Sequence, residues 1–259
     1  MLLSMKTLTK NLWITFSQNF GDTILHPQHT VIKFQKEAIR AAKKYAKGDL
    51  VDIGCGRMPY RKEFEPLVES YIGVDHPNIS KLYTGGTKPE VLTDAKDLPF
   101  DNNSFDTALL FQVLEHVDDP VEVIKEAGRV LKKNGALIIS VPFFYPLHDM
   151  PYDWGRYTSS ALKSFIENAG LKVVKIEEQG SFPGFWLQML NTFLVKRIND
   201  ILKDIKPLSI LLLIILVPMV PFVVILVNLL IIIVSKVAKL FPKYPNYFPQ
   251  DYLVVAKKK

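Results

Sequence analysis

The chain of 259 residues has a single cysteine, Cys55. No intramolecular disulfide can form, so the fold rests on packing, as suits a reducing compartment. Charge is missing from one long stretch. Pro207 to Ser235, 29 positions between Lys206 and Lys236, contains no Lys, Arg, Asp or Glu. Repeats and low-complexity tracts are absent. The start of the chain lacks a signal-peptide pattern, because Lys6 and Lys10 interrupt any apolar core and no small-residue cleavage site follows. A basic face for nucleic acid is also missing. Residues 1–195 hold 22 Lys/Arg against 23 Asp/Glu, whereas residues 196–259 hold 10 against 3. The net charge of +6 therefore surrounds the uncharged stretch. Anionic lipid headgroups, not nucleic acid, are the expected partner.

What is present is an alternation of strand and helix signals. Strands are expected near 50–54, 70–75, 106–111, 135–141 and 171–178, with a short one near Val91. An amphipathic helix is expected over Thr30–Lys47, with Val31, Phe34, Ala38, Ala41, Ala42 and Tyr45 at helical spacing. Two more are expected over Pro120–Leu131 and Ser159–Ala169, the latter stopped by Gly170. Such alternation specifies an α/β fold with a mainly parallel, doubly wound sheet.

The densest signal is Leu50-Val51-Asp52-Ile53-Gly54-Cys55-Gly56, followed by Tyr71-Ile72-Gly73-Val74-Asp75. An apolar strand breaks into a glycine turn, and further along a second strand ends in a carboxylate. Glycines let backbone approach a nucleoside, and the acid accepts from ribose hydroxyls. The glycine expected later in a dinucleotide-binding turn is absent.

Three further segments follow in order: Asp94-Ala95-Lys96-Asp97-Leu98-Pro99-Phe100, Ser104 to Val117 with Leu114-Glu115-His116-Val117 at its end, and Arg129 to Pro142. With these the chain resembles the class I S-adenosylmethionine-dependent methyltransferases of the type 11 family, over roughly Asp49 to Gly180 and again over its C-terminal end. A departure is Met58, where the family often has a third glycine. The resemblance implies a seven-stranded Rossmann-like sheet and S-adenosylmethionine as cofactor. It implies that Asp52, Gly54 and Gly56 form the turn around the methionine portion and that Asp75 binds the ribose. It further implies that Asp94 with Ala95 reads the adenine edge and that Gln112 lines the sulfonium side. His116 stands in a phrase common in the family, and a structural role is its simpler reading.

The segment Pro146 to Thr158 follows the fifth strand, at the edge where α/β folds bind ligands. It offers an imidazole, two carboxylates, two phenols and a guanidinium. His148, Asp149, Arg156 and Tyr157 are the candidate catalytic residues. His148 can take a proton from a hydroxyl, and Arg156 can hold a phosphate or carboxylate with its planar fork. An ion-paired loop that merely caps the sheet is the plainer alternative. His148 and Asp153 do not have a zinc spacing, and no metal is expected. Similar His-Asp-x-Pro-Tyr-Asp-x-x-Arg-Tyr-Thr segments resemble those of methyltransferases associated with bacterial cell-surface glycans.

As one helix, the apolar insert would extend about 40 Å, enough to cross a bilayer. Pro218 and Pro221 interrupt it, leaving arms too short to span. Lys/Arg flank both ends, which favours both on the cytoplasmic face. By resemblance, Asp251 to Lys257 is a last strand inserted antiparallel in the sheet, so the chain returns to the side it left. The favoured reading is a helical hairpin dipping into one leaflet and anchoring the chain to the cytoplasmic face. A single span and a soluble oligomer interface are the alternatives. The expected organisation is an N-terminal helical segment (1–47), a cofactor-binding domain (48–206), the insert (207–235) and a basic C-terminal segment with the last strand (236–259). The expected function is O-methylation of a lipid-linked saccharide or other amphiphile at the membrane surface. A soluble small-molecule methyltransferase and a non-catalytic membrane scaffold remain as alternatives.

Overall fold

The computed structural model describes residues 19–21, 23–81, 87–203, 207–238, 240 and 248–259. Seven strands make one sheet: β1 (Asp49–Ile53), β2 (Ser70–Asp75), β3 (Val91–Leu92), β4 (Phe105–Phe111), β5 (Leu131–Pro142), β6 (Leu171–Gln179) and β7 (Asp251–Lys258), in the order β3-β2-β1-β4-β5-β7-β6. The first five are parallel, and the order reverses beside β1. β7 lies antiparallel between β5 and β6, as the resemblance at the C-terminal end implied. The longer helices are α1 (His29–Ala42), α2 (Pro120–Val130), α3 (Ser159–Asn168), α4 (Phe182–Lys203) and α5 (Pro207–Ala238). α1 stops short of the expected Lys47, in a turn through Tyr45. α2 starts where its sequence says: Pro120 needs no donor at the first position, and the Asp119 carboxylate accepts from the Glu122 N–H at 3.0 Å.

Period-two alternation divides the strands between two cores. Val51, Leu110, Ile139 and Val254 face α2 and α3, meeting Ile124, Ala127, Leu162 and Ile166. Their neighbours Leu50, Leu109, Ile138 and Leu253 face the other way, with Ala38, Ala42 and Phe64. Both faces are covered, which is why these strands read as nearly unbroken apolar runs.

The chain divides into two compact units. One holds Lys36–Gln179 and Pro249–Lys259, hence the whole sheet; the other holds the described parts of 1–35 and 180–248. Within the second of these, α4 packs against α5.

α5 corrects a second expectation. It runs as one helix of 32 residues through Pro218 and Pro221. A proline removes one bond and kinks a helix, but reversal needs turn residues, and Met219 and Val220 are not such residues. The helical hairpin before β7 is instead formed by α4 and α5. They are antiparallel: Asn191 Nδ2 donates to Asn228 Oδ1 at 3.0 Å, and Gly184 faces Ile231 and Ser235. Asn228 also donates to the carbonyls of Ile24 and His26, and Gln188 to that of Pro27. The amide nitrogens of Gln188 and Asn228 are thereby satisfied by the 24–27 segment, while Gln188 Oε1 and Asn191 Oδ1 have no partner among the described residues.

Candidate active site

The carboxyl ends of β1, β2, β4 and β5 meet where the strand order reverses, the usual ligand crevice of an open parallel sheet. Gly54 and Gly56 turn the chain there with φ of +73° and +56°. A side chain at Gly54 would strike Val113, with a Cβ only 2.5 Å from Cγ2. The Gly54 and Cys55 N–H groups donate to the Val74 carbonyl, fixing the turn to β2. Met58 takes a left-handed φ of +53° without being glycine, and its thioether sits over Gly73, which has no side chain to obstruct it. Cys55 is buried, and burial pushes its thiol pKa up, away from nucleophilic use.

Asp75 ends β2. Its Oδ1 accepts from the His76 N–H at 2.8 Å, while its buried Oδ2 has no hydrogen-bond partner among the described residues. Burial raises its pKa against the opposing N–H groups of His76 and Gly56. Asp94 and Ala95 follow β3, which pairs with the end of β2. Asp94 is partly exposed, and its Oδ1 accepts from the Lys96 N–H at 2.9 Å. Gln112 follows β4 with φ +57°, a strained position for its residue type. Its amide donates to Ser140 Oγ at 3.1 Å and to Asp251 Oδ1 at 3.3 Å, tying it to β5 and β7.

Asp52 behaves differently from its expected partners in the turn. It is buried beneath them, bonded to the Tyr71 hydroxyl, and desolvation raises its pKa to about 7. It supports the turn from below. Asp251 is raised to about 6, again by burial. Both folded pKa values stand above the usual carboxylate value. Their contribution to stability is thus complete in acid, below the ordinary carboxylate range, and is lost as pH rises through about 6 to 7. Without ligand, the melting temperature should fall across that rise, and Asp52→Asn should flatten the fall. An unchanged pH profile in that variant would remove Asp52 as its source.

The loop after β5 is tied down from within. Arg156 donates to Asp153 through Nη1 at 2.6 Å and Nη2 at 3.0 Å, and to the carbonyls of Tyr145, Pro146 and Gly155. The Asp153 side chain is fully enclosed, and Arg156 holds its pKa down at about 2. Arg156 therefore has its fork filled by the loop and is a positioning residue, contrary to the expected phosphate or carboxylate contact. Tyr157 is also structural here: its hydroxyl donates to the Leu114 carbonyl at 3.2 Å. Asp149 is exposed at φ +51°, with its carbonyl accepting from the Tyr152 N–H.

His148 is brought to His116, ring centroids 4.8 Å apart and edge to face. Burial lowers the His148 pKa, reinforced by His116. Beside them lies Glu115, a group the sequence reading passed over. It is fully buried, neither carboxyl oxygen has a partner among the described residues, and desolvation raises its pKa to about 8. Its own carbonyl accepts from the N–H groups of Trp154 and Gly155, locking the loop over the short 3-10 turn Leu114–His116.

Residues 51–139 match the type 11 methyltransferase domain family. That segment is similar to a methyltransferase domain. A probable S-adenosylmethionine-dependent methyltransferase of Mycolicibacterium smegmatis is 27% identical over 143 residues, 52% of this chain and 56% of the relative. A ubiquinone biosynthesis O-methyltransferase of Pelagibacter ubique is 33% identical over 109 residues, 39% of this chain and 45% of the relative. The chain spans about half the length of the curated relatives it matches. A crystal structure of a SAM-dependent methyltransferase from Archaeoglobus fulgidus is 21% identical, covers 95% of this chain and 99% of its own, and has a TM-score of 0.51. That likeness shows a shared fold. S-adenosylmethionine is the cofactor named for the relatives, and the crevice has features that fit it: Asp75 Oδ2 is buried and unpartnered among the described residues, and Gly54 leaves room that a side chain would fill.

Proposed function

We propose that this protein is an S-adenosylmethionine-dependent methyltransferase that methylates an oxygen of an amphiphile, of which a lipid-linked saccharide is one kind, at the cytoplasmic face of a membrane. The cofactor supplies a methyl group on a cationic sulfur. The protein's task is then mostly positioning. Asp75 takes the ribose, Gly54 and Gly56 the methionine portion, Asp94 and Ala95 the adenine edge, and Gln112 the sulfonium side. The acceptor enters under the loop after β5, where Glu115, His116 and His148 are the groups that can manage its proton. Leu147, Met150, Tyr152 and Trp154 on that loop are exposed, an apolar margin suited to the greasy part of an acceptor. The relative named as an O-methyltransferase supports oxygen as the acceptor atom.

The observation that carries the cofactor assignment is the orphaned Asp75 oxygen at the end of β2. Asp75→Ala should weaken S-adenosylmethionine binding by about 1.5–3 kcal/mol, the worth of hydrogen bonds to a charged group. Calorimetry on both proteins tests this, and equal affinities would defeat the assignment. For the acceptor, mass spectrometry of membrane lipids and glycans from cells with and without the protein should show a species differing by one methylene.

The membrane part rests on α4 and α5. Pro218–Val237 is long and apolar enough to cross a membrane by length and composition. A lone crossing is excluded on this reading, because β6 and β7 flank the insert in sequence and lie side by side in one sheet. α4 carries Lys196, Arg197 and Lys203 and cannot supply a return crossing. The pair therefore lies along the surface.

A further inference from the structure

The Glu115, His116 and His148 group has a feature that proton transfer alone does not use. One ligand atom from each lies within 4.8 Å of the other two, and His116 Nε2 is 3.8 Å from Glu115 Oε1. His116 Nδ1 is 2.8 Å from the Tyr152 carbonyl. His148 Nδ1 is 3.1 Å from the Pro146 carbonyl and 3.4 Å from an Asp153 oxygen. The Tyr152 and Pro146 carbonyls and the Asp153 oxygen are acceptors, which favour a protonated Nδ1 and a free Nε2 lone pair in each neutral ring, while Arg156 Nη2, a donor, lies farther from His148 Nδ1 at 3.5 Å. Backbone carbonyls holding the far nitrogen are the usual support of metal-bound histidines. The nearby cation, Arg156, is occupied by Asp153 and loop carbonyls. Glu115 meanwhile is fully buried, and neither of its oxygens has a hydrogen-bond partner among the described residues. Two imidazole lone pairs and a carboxylate thus converge.

We propose that Glu115, His116 and His148 bind one divalent transition-metal ion, of the zinc, cobalt or manganese class. Two nitrogens and one oxygen suit these ions and leave a position open, whereas magnesium and calcium prefer oxygen alone. His148 stands on a loop and can close the remaining distance. The sequence hid the site because α2 and β5 intervene between His116 and His148.

The use of the open position rests on the methyltransferase reading above. An acceptor hydroxyl there would give its proton to water. Its oxygen would form the new O–C bond with the methyl carbon as the C–S bond breaks and that electron pair returns to sulfur. The metal lowers the hydroxyl pKa as a Lewis acid and is not itself oxidised or reduced.

The full chain, stripped with a chelator, is titrated with cobalt(II) and followed by visible absorption and calorimetry. One ion per chain should bind, zinc should displace it, and magnesium should not compete. Glu115→Gln and His148→Ala should each weaken binding beyond the about 10–100-fold that loss of an outer support costs. His76→Gln, outside the group, should leave it intact. S-adenosylmethionine affinity on the same samples reports folding and tests the methyltransferase reading separately. Cobalt binding without cofactor binding would spare the metal site and sink that reading. No stoichiometric cobalt binding by the wild type, or binding unchanged in both variants, overturns the metal site. If Glu115→Gln fails to fold, His148→Ala decides.

Discussion

Replacing Arg156 with alanine should nearly abolish turnover while leaving cofactor affinity in place. The Asp153 carboxylate is fully enclosed and keeps a pKa of about 2 because Arg156 is beside it. Removing one partner of a buried pair strands a charge at a cost of about 3–5 kcal/mol if the surroundings hold still. They need not hold still. The loop is a surface segment joined to the domain by a few bonds: Tyr157 to Leu114, Trp154 and Gly155 to Glu115, and His116 to Tyr152. Opening the loop costs less than keeping the charge buried, so local disorder replaces global unfolding. The melting temperature should fall modestly, and hydrogen exchange should quicken over 146–157. Turnover should drop by about 100-fold or more, the penalty for misplacing a group by an ångström. Arg156→Lys should not rescue it, since one ammonium cannot replace the two-pronged contact with Asp153 and three carbonyls besides. Cofactor affinity falling in step with turnover would show that the loop serves the cofactor, against the division of labour proposed above.

How much of this was legible in the sequence follows from the range of the forces involved. Strands β1, β2, β4 and β5 show themselves because both their faces are covered, so apolar residues fill successive positions. β7 was legible only through resemblance, since an antiparallel strand separated from β6 by α4 and α5 leaves no local trace of its partners. The glycine turn and Asp75 are local features, each carried by consecutive residues at the end of one strand. Glu115 was missed because the loop that covers it, through Trp154 and Gly155, comes only after α2 and β5. Arg156 was misjudged for a related reason. A free guanidinium and one filled by its own loop have the same sequence, and the i−3 position of Asp153 signals pairing mainly inside helices. Pro218 and Pro221 misled in the opposite direction, because a local helix-breaking rule was applied where the chain had no turn chemistry to offer. Met58 shows a substitution absorbed at a distance: the position that often holds glycine accepts a thioether because Gly73 makes room.

Putting lysine at Phe222, Leu226 and Ile233 should release the protein from membranes without unfolding it. Among the residues of α5 whose side chains are described, the exposed large ones are Met219, Phe222, Leu226, Leu229, Leu230, Ile233 and Val237, which fall on one side at helical spacing. Val224, Val227, Asn228 and Ile231 are buried on the other. α4 shows Phe182, Trp186, Leu190 and Phe193 in a matching stripe. A helix surrounded by lipid would have no reason to bury an asparagine against backbone carbonyls at mid-length, nor to be two-sided. A pair lying along the surface has a reason for both. Each large apolar side chain contributes about 1.5–3 kcal/mol on leaving water. Losing three should therefore weaken binding by at least about 1,000-fold, at about 1.4 kcal/mol per tenfold. The substituted residues are exposed, Phe222 by 75%, so the packing between α4 and α5 should survive. Flotation with phosphatidylcholine vesicles, with and without phosphatidylglycerol, measures this. The wild type should float with both, more firmly with the anionic lipid, and high salt should remove only that increment, because the basic flanks act through charge and the stripe does not. A wild type that ignores both vesicles and dimerises in buffer would make the stripe an interface between copies of the chain, and the acceptor would then be sought among soluble molecules.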